Sequence, residues 1–333
     1  MQPQVTAASH PNLALVKYWG KVNEIINIPA NSSISVNLSG ATTITSVVFS
    51  SHIDADVVKI DGQSASSKAY EKVVRHVDRI RHMANIDAKV IVESKNDFPA
   101  SAGIASSASA FASLSLAASK AAGLNLSEKE LSILARKGSG SACRSIPDGF
   151  VEWTAGNSDD TSFAQQIAAP THWDIRIITV ILEERSKSIS SSEGHQAALT
   201  SPFYQARLNT LPSVLKTVRT ALLEKHFQEF GKVVEREAVS FHAVAMTSFV
   251  RGCDWLSGIY YWNPATLFLI HAIQQWRVEG LKIYFTLDAG PNVHLICEGN
   301  YQTELEKKLK LVLQNLGGKY FVSRPGKGAW FVT

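Results

Sequence analysis

A run of small residues interrupts the middle of the chain, reading "FPASAGIASSASA" from Phe98 to Ala110. It follows a strand-like segment and precedes an apolar run, so it falls at a predicted strand-to-helix junction. Three structures fit it: a flexible linker, a surface for tight helix packing, or a loop that lets a phosphate approach the backbone. Unpaired N–H groups and the helix dipole favour an anion at a helix N-terminus. From spacing alone, the packing and phosphate interpretations both stay open.

Strand-like and helix-like segments surround this run without a regular alternation. The patterns predict strands at 41–50, 56–61, 87–94, 149–153, 173–182, 282–288 and 293–298. They predict helices at 67–83, 110–123, 127–137, 212–225, 262–279 and 301–315, followed by a final hairpin over 319–333. Such a mixture favours an α+β fold over a doubly wound sheet. A change of character near 183–186 predicts two domains, 1–183 and 184–333.

Bulk composition excludes several classes of protein. The net charge is only +4 and the basic residues are scattered, so no nucleic-acid partner is expected. No apolar run approaches the roughly 20 residues that span a bilayer, and the N-terminus lacks the order of a secretory signal, so we expect a cytoplasmic protein without a membrane partner. The three cysteines have no metal-ligand spacing and are odd in number, which disfavours zinc and disulfides.

Four segments together carry a resemblance to a known family. "PASAGIASSAS" resembles the phosphate loop of the GHMP kinase superfamily. "HPNLALVKYWGK" with "IPANSSISVNLS", then "ARKGSGSACRS", then "TLDAGPNVHL", are similar to segments of diphosphomevalonate decarboxylases, in the same order and across nearly the whole chain. The resemblance implies a GHMP kinase fold, with an N-terminal ribosomal-protein-S5-like β/α domain, a C-terminal α/β sandwich domain and the active site in the cleft between them.

The activity that this resemblance implies is an ATP- and Mg²⁺-dependent decarboxylation in isoprenoid synthesis, carried out by a homodimer. The family converts 5-diphosphomevalonate to isopentenyl diphosphate, ADP, phosphate and CO₂. ATP phosphorylates the C3 hydroxyl, the new phosphate departs, and the C1 carboxylate leaves as CO₂.

Three catalytic residues follow from the resemblance. Asp288 would lie against the C3 hydroxyl, either to orient it or to accept its proton. Lys17 would lie near Asp288 and offset the charge that develops as phosphate leaves. Arg144 would hold the C1 carboxylate, because a guanidinium matches a carboxylate bidentately. Without the resemblance, "LDAGPN" around Asp288 is typical of a turn.

The resemblance also implies the binding residues. Those for the substrate are Tyr18, Lys21, Ser139, Ser141, Ser191, Ser192 and His195. Those for ATP are Asn96, Pro99, Ala102, Gly103, Ala105, Ser106 and Ser107, of which Ser106 and Ser107 would also face Mg²⁺. The serines at 190–192 fit an ordinary N-capping cluster equally well.

Four residues, Pro147, Asp148, Glu193 and His195, depart from the family pattern, and the last three leave the substrate open. We expect the acidic residues Asp148 and Glu193 near the anionic substrate, where they would disfavour a second phosphoryl group, while His195 supplies a compensating donor. The rival is therefore the phosphomevalonate decarboxylase group, which uses the 5-monophosphate and yields isopentenyl phosphate. A mevalonate 3-kinase without decarboxylation and a catalytically dead ligand-binding relative are further alternatives. The dead relative would be expected to lose Asp288 or the Ser106–Ser107 pair, and both are present.

Overall fold

The computed structural model describes residues 3–98, 106–183, 189–250 and 258–332. Their strands are β1 (Val5–Ser9), β2 (Asn12–Val16), β3 (Lys21–Asn23), β4 (Ile28–Pro29), β5 (Ser33–Asn37), β6 (Thr43–Ser50), β7 (Val57–Ile60), β8 (Gln63–Ser64), β9 (Lys89–Asn96), β10 (Phe150–Trp153), β11 (Ala164–Ala168), β12 (Ile175–Ile181), β13 (Ile283–Leu287), β14 (Val293–Glu298), β15 (Lys319–Ser323) and β16 (Ala329–Phe331). Their α-helices are α1 (Ser67–Ala84), α2 (Ser106–Ala121), α3 (Glu128–Gly138), α4 (Ser191–Ala197), α5 (Tyr204–Leu223), α6 (Phe227–Met246), α7 (Pro264–Val278) and α8 (Gln302–Leu316).

The strands form three main sheets and a small ribbon. The first sheet has the order β16-β1-β6-β9-β7-β8, the second β11-β10-β5-β2 and the third β13-β14-β12-β15, while β3 pairs with β4. Pairing is antiparallel throughout, except that β7 runs parallel to β9. Helices and sheets are thus mixed without a repeated βαβ unit, and the predicted α+β class is confirmed.

The three largest apolar cores hold these layers together. Helices α1, α2 and α3 cover the first sheet. Helices α5 and α6 pack in one core with residues of both the second and the third sheet, including Leu13, Val36 and Ile177. Helices α7 and α8 cover the opposite face of the third sheet. Strand β12 is therefore buried along its whole length, which explains why five of its seven residues are isoleucine or valine.

The C-terminal end of the chain does not form the predicted hairpin. Strand β15 pairs with β12 in the third sheet, whereas β16 pairs with β1 in the first sheet. The hairpin prediction was wrong because "RPGKG" has the residues of a tight turn, although here it connects two different sheets. The domain division at 183/184 stays a prediction, since residues 184–188 lie outside the described ones.

The small side chains of α2 allow it to lie close against β6. Ser109 Oγ is 2.7 Å from Thr43 Oγ1, and Ser113 Oγ is 2.8 Å from Thr45 Oγ1, with all four residues buried. The buried hydroxyl groups therefore satisfy one another's hydrogen-bonding capacity across the contact between α2 and β6. The packing interpretation is correct for residues 106–121, while residues 99–105 lie outside the described part of the chain.

Local signals in the sequence correctly marked the ends of helices. Ser127 caps α3, and its capping box with Glu130 is formed in both directions. Gly123 has φ +81°, the left-handed conformation expected after the end of α2. Among the described residues, none of the helices is long and apolar enough to cross a membrane.

We predict that acid destabilises the fold through His76, which is fully buried on α1 and contacts Ser115 Oγ at 2.9 Å. Burial, followed by the nearby Arg79 and Lys137, lowers the pKa of His76 to about 3. Below pH ~6.5 the imidazole of His76 binds a proton in the unfolded chain but not in the folded chain. The free energy of unfolding is therefore greatest above that pH and declines by about 1.4 kcal/mol per pH unit below it.

Urea unfolding at pH 7.5 and pH 5.0 checks this. His76→Gln should show a smaller loss of unfolding free energy between the two pH values than the wild type does. The same substitution at the exposed His52 is the control and should leave the loss unchanged. Equal losses in wild type and His76→Gln would contradict the prediction.

Candidate active site

Two strand ends from distant parts of the chain bring Lys17 and Asp288 together. Lys17 follows β2 and Asp288 follows β13. Lys17 Nζ donates to Asp288 Oδ1 at 2.7 Å and to the carbonyl of Ala14 at 2.6 Å. The lysine side chain is only 3% exposed, against 22% for the aspartate. A buried ammonium ion requires such partners, and the carboxylate is the partner that remains partly open to solvent.

A buried histidine lies behind this ion pair. His242 on α6 is fully buried, and burial lowers its pKa to about 3, with further influences from Lys17 and Asp288. Its imidazole is therefore neutral at physiological pH. It adds no charge beside the Lys17–Asp288 pair.

Arg144 is held in a fixed orientation next to the pair. It lies in the 3₁₀ helix Gly140–Ser145. Its Nε donates to Asn12 Oδ1 at 3.1 Å and its Nη1 to Ser33 Oγ at 2.7 Å. Burial lowers the pKa of Arg144, and the negative charge of Asp288 acts in the opposite direction. A guanidinium whose orientation is fixed in this way is suited to bind a carboxylate.

A polar cavity of about 430 Å³ lies beside these residues. It is lined by Tyr18, Lys21, Glu24, Ile25, Asn27, Lys72, Arg75, Arg79, Ser107, Phe111, Lys137, Gly138, Ser139, Gly140, Ser141, Ser191, Ser192 and His195. Every residue predicted to bind the substrate is among them. Lys17 adjoins it through its chain neighbour Tyr18, and Arg144 lies in the same short helix as the lining residues Gly140 and Ser141.

The polar cavity carries a large excess of positive charge that the sequence interpretation missed. Its basic side chains are Lys21, Lys72, Arg75, Arg79 and Lys137, and the only carboxylate among its described lining residues is Glu24. Burial, followed by neighbouring Lys68, Lys21 and Arg75, lowers the pKa of Lys72. Neighbouring cations repel one another, and a bound anion relieves this repulsion. The cavity therefore favours an anionic ligand.

A sequence signal for part of this charge does exist. Lys72, Arg75 and Arg79 follow the spacing i, i+3, i+7, which places them on one face of α1. Helix α1 was assigned from the spacing of its apolar residues, and its basic residues were not considered. Among the described residues, no carboxylate forms an ion pair with these three side chains.

His195 lines the polar cavity as a neutral side chain. The N–H of Gly20 donates to His195 Nδ1 at 3.0 Å, which leaves the ring proton on Nε2. The ring lies between Tyr18 and Trp19, with centroids at 4.1 and 4.5 Å. Burial lowers its pKa well below 6.5. It can therefore donate one hydrogen bond without adding charge.

The two unusual acidic residues do not line the polar cavity. Glu193 closes the capping box of α4, accepting from Ser190 N at 2.7 Å and from Ser190 Oγ at 2.6 Å. Asp148 Oδ1 accepts from the N–H of Gly328 at 2.7 Å. Each carboxylate is engaged in local structure, and the lining of the polar cavity lends no support to the expectation that they approach the anionic substrate.

An apolar cavity of about 300 Å³ adjoins the polar one and shares Lys72, Ser107 and Phe111 with it. Its walls come from β6, β7, β9, α1 and α2, and they include Val58, Ile60, Val73, Val92, Asn96, Ser106 and Leu114. Asn96, Ser106 and Ser107, predicted to bind ATP, therefore share one cavity at the N-terminus of α2. The predicted ATP residues Pro99, Ala102, Gly103 and Ala105 lie outside the described residues.

The described residues contain no cluster of three or more histidine, cysteine or acidic side chains that could hold a metal ion. Ser107 Oγ at the start of α2 lies 3.2 Å from Ser139 Oγ. Hydroxyl groups beside a phosphate site fit Mg²⁺ that is bound mainly through phosphate oxygens. They do not fit a metal bound by protein carboxylates.

Comparison with known proteins agrees with this arrangement. The fold is that of the GHMP kinases. A family model for the diphosphomevalonate decarboxylase-like N-terminal domain matches residues 9–164, and one for the mevalonate 5-diphosphate decarboxylase C-terminal domain matches residues 177–325. The chain belongs to the diphosphomevalonate decarboxylase family.

Individual relatives carry two different substrate names. The diphosphomevalonate decarboxylase of Saccharomyces cerevisiae is 35% identical, over 97% of this chain and 83% of its own length. The phosphomevalonate decarboxylase of Haloferax volcanii is 31% identical, over 88% of this chain and 87% of its own. A solved structure of MDDEF in complex with MVAPP, AMPPCP and magnesium has a TM-score of 0.91 and 36% identity, covering 99% of this chain and 98% of that one.

We predict that Gly140→Ala distorts the polar cavity. A methyl group at Gly140 would lie 2.8 Å from Tyr18 Oη and 3.2 Å from two ring carbons, so Tyr18 must move. Overpacking of this kind costs about 1–3 kcal/mol, which corresponds to roughly 5- to 150-fold in affinity if it falls on ligand binding. Calorimetric titration with phosphorylated mevalonate measures it. The double variant Tyr18→Phe/Gly140→Ala lacks Tyr18 Oη, the atom nearest to the new methyl group, and should recover part of the lost affinity. Unchanged affinity in Gly140→Ala would refute the prediction.

Proposed function

We propose that this protein catalyses the ATP-dependent decarboxylation of 5-diphosphomevalonate to isopentenyl diphosphate, with release of ADP, phosphate and CO₂. The observation that carries the proposal is the Lys17–Asp288 ion pair beside a cavity with five basic side chains. An acidic group for a hydroxyl and cations for phosphates are the groups that this reaction requires. The family and the relatives reported above support the same activity.

The polar cavity orients the substrate in this proposal. The basic side chains, with Tyr18, Ser191, Ser192 and the neutral His195, bind the phosphorylated end. Arg144, together with Ser139 and Ser141, binds the C1 carboxylate. The C3 hydroxyl then lies at Asp288, whose side chain is the exposed member of the ion pair. Fixing both ends of the substrate converts the reaction at C3 into an intramolecular step.

The chemistry takes place at C3 and C1. Asp288 orients the hydroxyl, or accepts its proton, while the oxygen attacks the γ-phosphorus of ATP and ADP departs. The C3–O bond then breaks with its electrons going to phosphate, and the electrons of the C1–C2 bond form the C2=C3 double bond as CO₂ leaves. Lys17 stabilises negative charge that develops on the departing phosphate.

ATP binds across the two connected cavities in this proposal. The adenosine lies between the apolar walls near Asn96, and the phosphates lie at the N-terminus of α2 beside Ser106 and Ser107. Mg²⁺ bound to the ATP phosphates, with these hydroxyls nearby, supplies charge neutralisation for phosphoryl transfer. The remaining loop residues predicted for ATP are part of the same proposal.

The 5-monophosphate is the rival substrate, favoured by the Haloferax volcanii relative. The excess of cations in the polar cavity, and the absence of Asp148 and Glu193 from its lining, favour the diphosphate. A mevalonate 3-kinase and an inactive ligand-binding relative are weaker alternatives, because Lys17, Arg144 and Asp288 are assembled together.

We also propose that the protein is a cytoplasmic homodimer. This follows from the family resemblance. Sedimentation analysis of the purified protein at micromolar concentration tests the dimer, and a single species at the 36.3 kDa of the chain would disprove it.

We predict that Asp288→Asn lowers kcat by at least a hundredfold while the KM for the phosphorylated substrate changes less than threefold. The amide keeps the size of the side chain but removes the charge that holds Lys17 and that orients the C3 hydroxyl or accepts its proton. Release of CO₂ and of ADP, followed together, provides the measurement. A loss confined to KM would contradict the catalytic role, and ADP without CO₂ in the wild type would favour the 3-kinase.

We further predict that kcat/KM for 5-diphosphomevalonate exceeds that for 5-phosphomevalonate. Arg75→Gln should reduce this preference, because it removes a cavity cation without a carboxylate partner. Lys59→Gln, outside the cavity in an exposed ion pair with Glu93, is the control and should keep the wild-type ratio. A higher kcat/KM for the monophosphate would establish the rival function.

A further inference from the structure

The backbone of Lys17 is held by a second ion pair, deep in the protein. The N–H of Lys17 donates to Glu237 Oε2 at 3.0 Å. Its carbonyl oxygen accepts from Arg207 Nη2 at 2.9 Å and from Asn31 Nδ2 at 2.9 Å. Arg207 Nη2 also donates to Glu237 Oε1, so one ion pair contacts both polar groups of a single residue's backbone.

A contribution to folding stability does not explain the Arg207–Glu237 pair. The side chains of Arg207 and Glu237 are each only 2% exposed. Removing two charges from water costs several kcal/mol per ion, and replacing such a pair with apolar residues is often neutral or stabilising. Among the described residues, Arg207 Nε and Nη1 also have no hydrogen-bond partner. The pair is therefore not an optimised stabilising contact.

Its location connects it to the reacting groups. Arg207 lies on α5 and Glu237 on α6, two helices that pack against both β2 and the third sheet. Helix α6 also carries His242, behind Asp288. The same helix thus contacts the elements that end in Lys17 and in Asp288.

We propose that the Arg207–Glu237 pair is a positioning device that sets Lys17 against Asp288. It acts only through the backbone of Lys17, and its effect on catalysis rests on the proposed decarboxylase function. With N–H and C=O both held, the side chain of Lys17 starts from one backbone position, from which Nζ reaches the Ala14 carbonyl and Asp288. A misplacement of about 1 Å in such a group can lower a rate by about a hundredfold.

The test compares two ion pairs that share helix α6. Arg207→Met/Glu237→Leu replaces the proposed device with apolar side chains. The matched control is Arg277→Met/Glu235→Leu, because Glu235 likewise pairs with an arginine, at 3.0 Å, and accepts from a backbone N–H, that of Phe285. Glu237→Asp and its control Glu235→Asp keep the charges and shorten the side chain, and they serve if the double variant does not fold.

Two measurements are made on each variant. Turnover with phosphorylated mevalonate and ATP gives kcat and KM, and hydrogen exchange by mass spectrometry on the peptide 13–20 reports protection of the Lys17 amide without turnover. We expect Arg207→Met/Glu237→Leu to lose about a hundredfold in kcat with KM changed less than threefold. We expect Glu237→Asp to lose about tenfold, with faster exchange in both cases. Both controls should keep kcat and the exchange rate.

The outcomes separate the inference from the proposed function. Unchanged exchange at Lys17, faster exchange with unchanged kcat, or a kcat loss equal to that of the controls would overturn the positioning role. A wild-type protein that releases no CO₂ would overturn the decarboxylase function instead. The exchange result alone would then decide whether the pair holds Lys17.

Discussion

The Lys17–Asp288 ion pair is the contact on which the arrangement of this protein depends. A lysine that is 97% removed from solvent cannot remain charged without a partner, and its partner is 271 residues away in the sequence. The ends of β2 and β13 must therefore meet. Helices α5 and α6 bring these ends together, because they pack in one core with strands of the second and third sheets.

Local sequence signals predicted many of the elements, although not β1, β2, β5, β11 or α6, and they did not predict how the elements join. The Ser127–Glu130 capping box and the left-handed Gly123 depend on a few consecutive residues, so they can be recognised without tertiary context. The last two strands contain equally clear local patterns, yet each pairs with a partner far away in the chain. A hairpin was predicted there because turn residues indicate that the chain bends and do not indicate which sheet follows.

The candidate site shows the same division. The positions of Lys17, Arg144 and Asp288 became predictable through resemblance to a family, since no spacing in the sequence relates them. The basic face of α1 needed only the helical period, yet it was missed because its apolar face was sufficient to assign the helix. Asp148 and Glu193 were expected near the substrate from their charge alone. In the structure both carboxylates accept hydrogen bonds from nearby backbone N–H groups, which the charge pattern does not reveal.

The distribution of positive charge distinguishes the polar cavity from the Lys17–Asp288 ion pair. The cations of the cavity are lysines and arginines on the surface of α1 and its neighbours, where they can attract an anion from solvent. Two histidines of the candidate site, His195 and His242, are kept neutral by burial. Positive charge is thus concentrated in the polar cavity, which we propose binds phosphate. Beside Asp288 it comes from Lys17 and Arg144, whose side chains are held by hydrogen bonds within the protein.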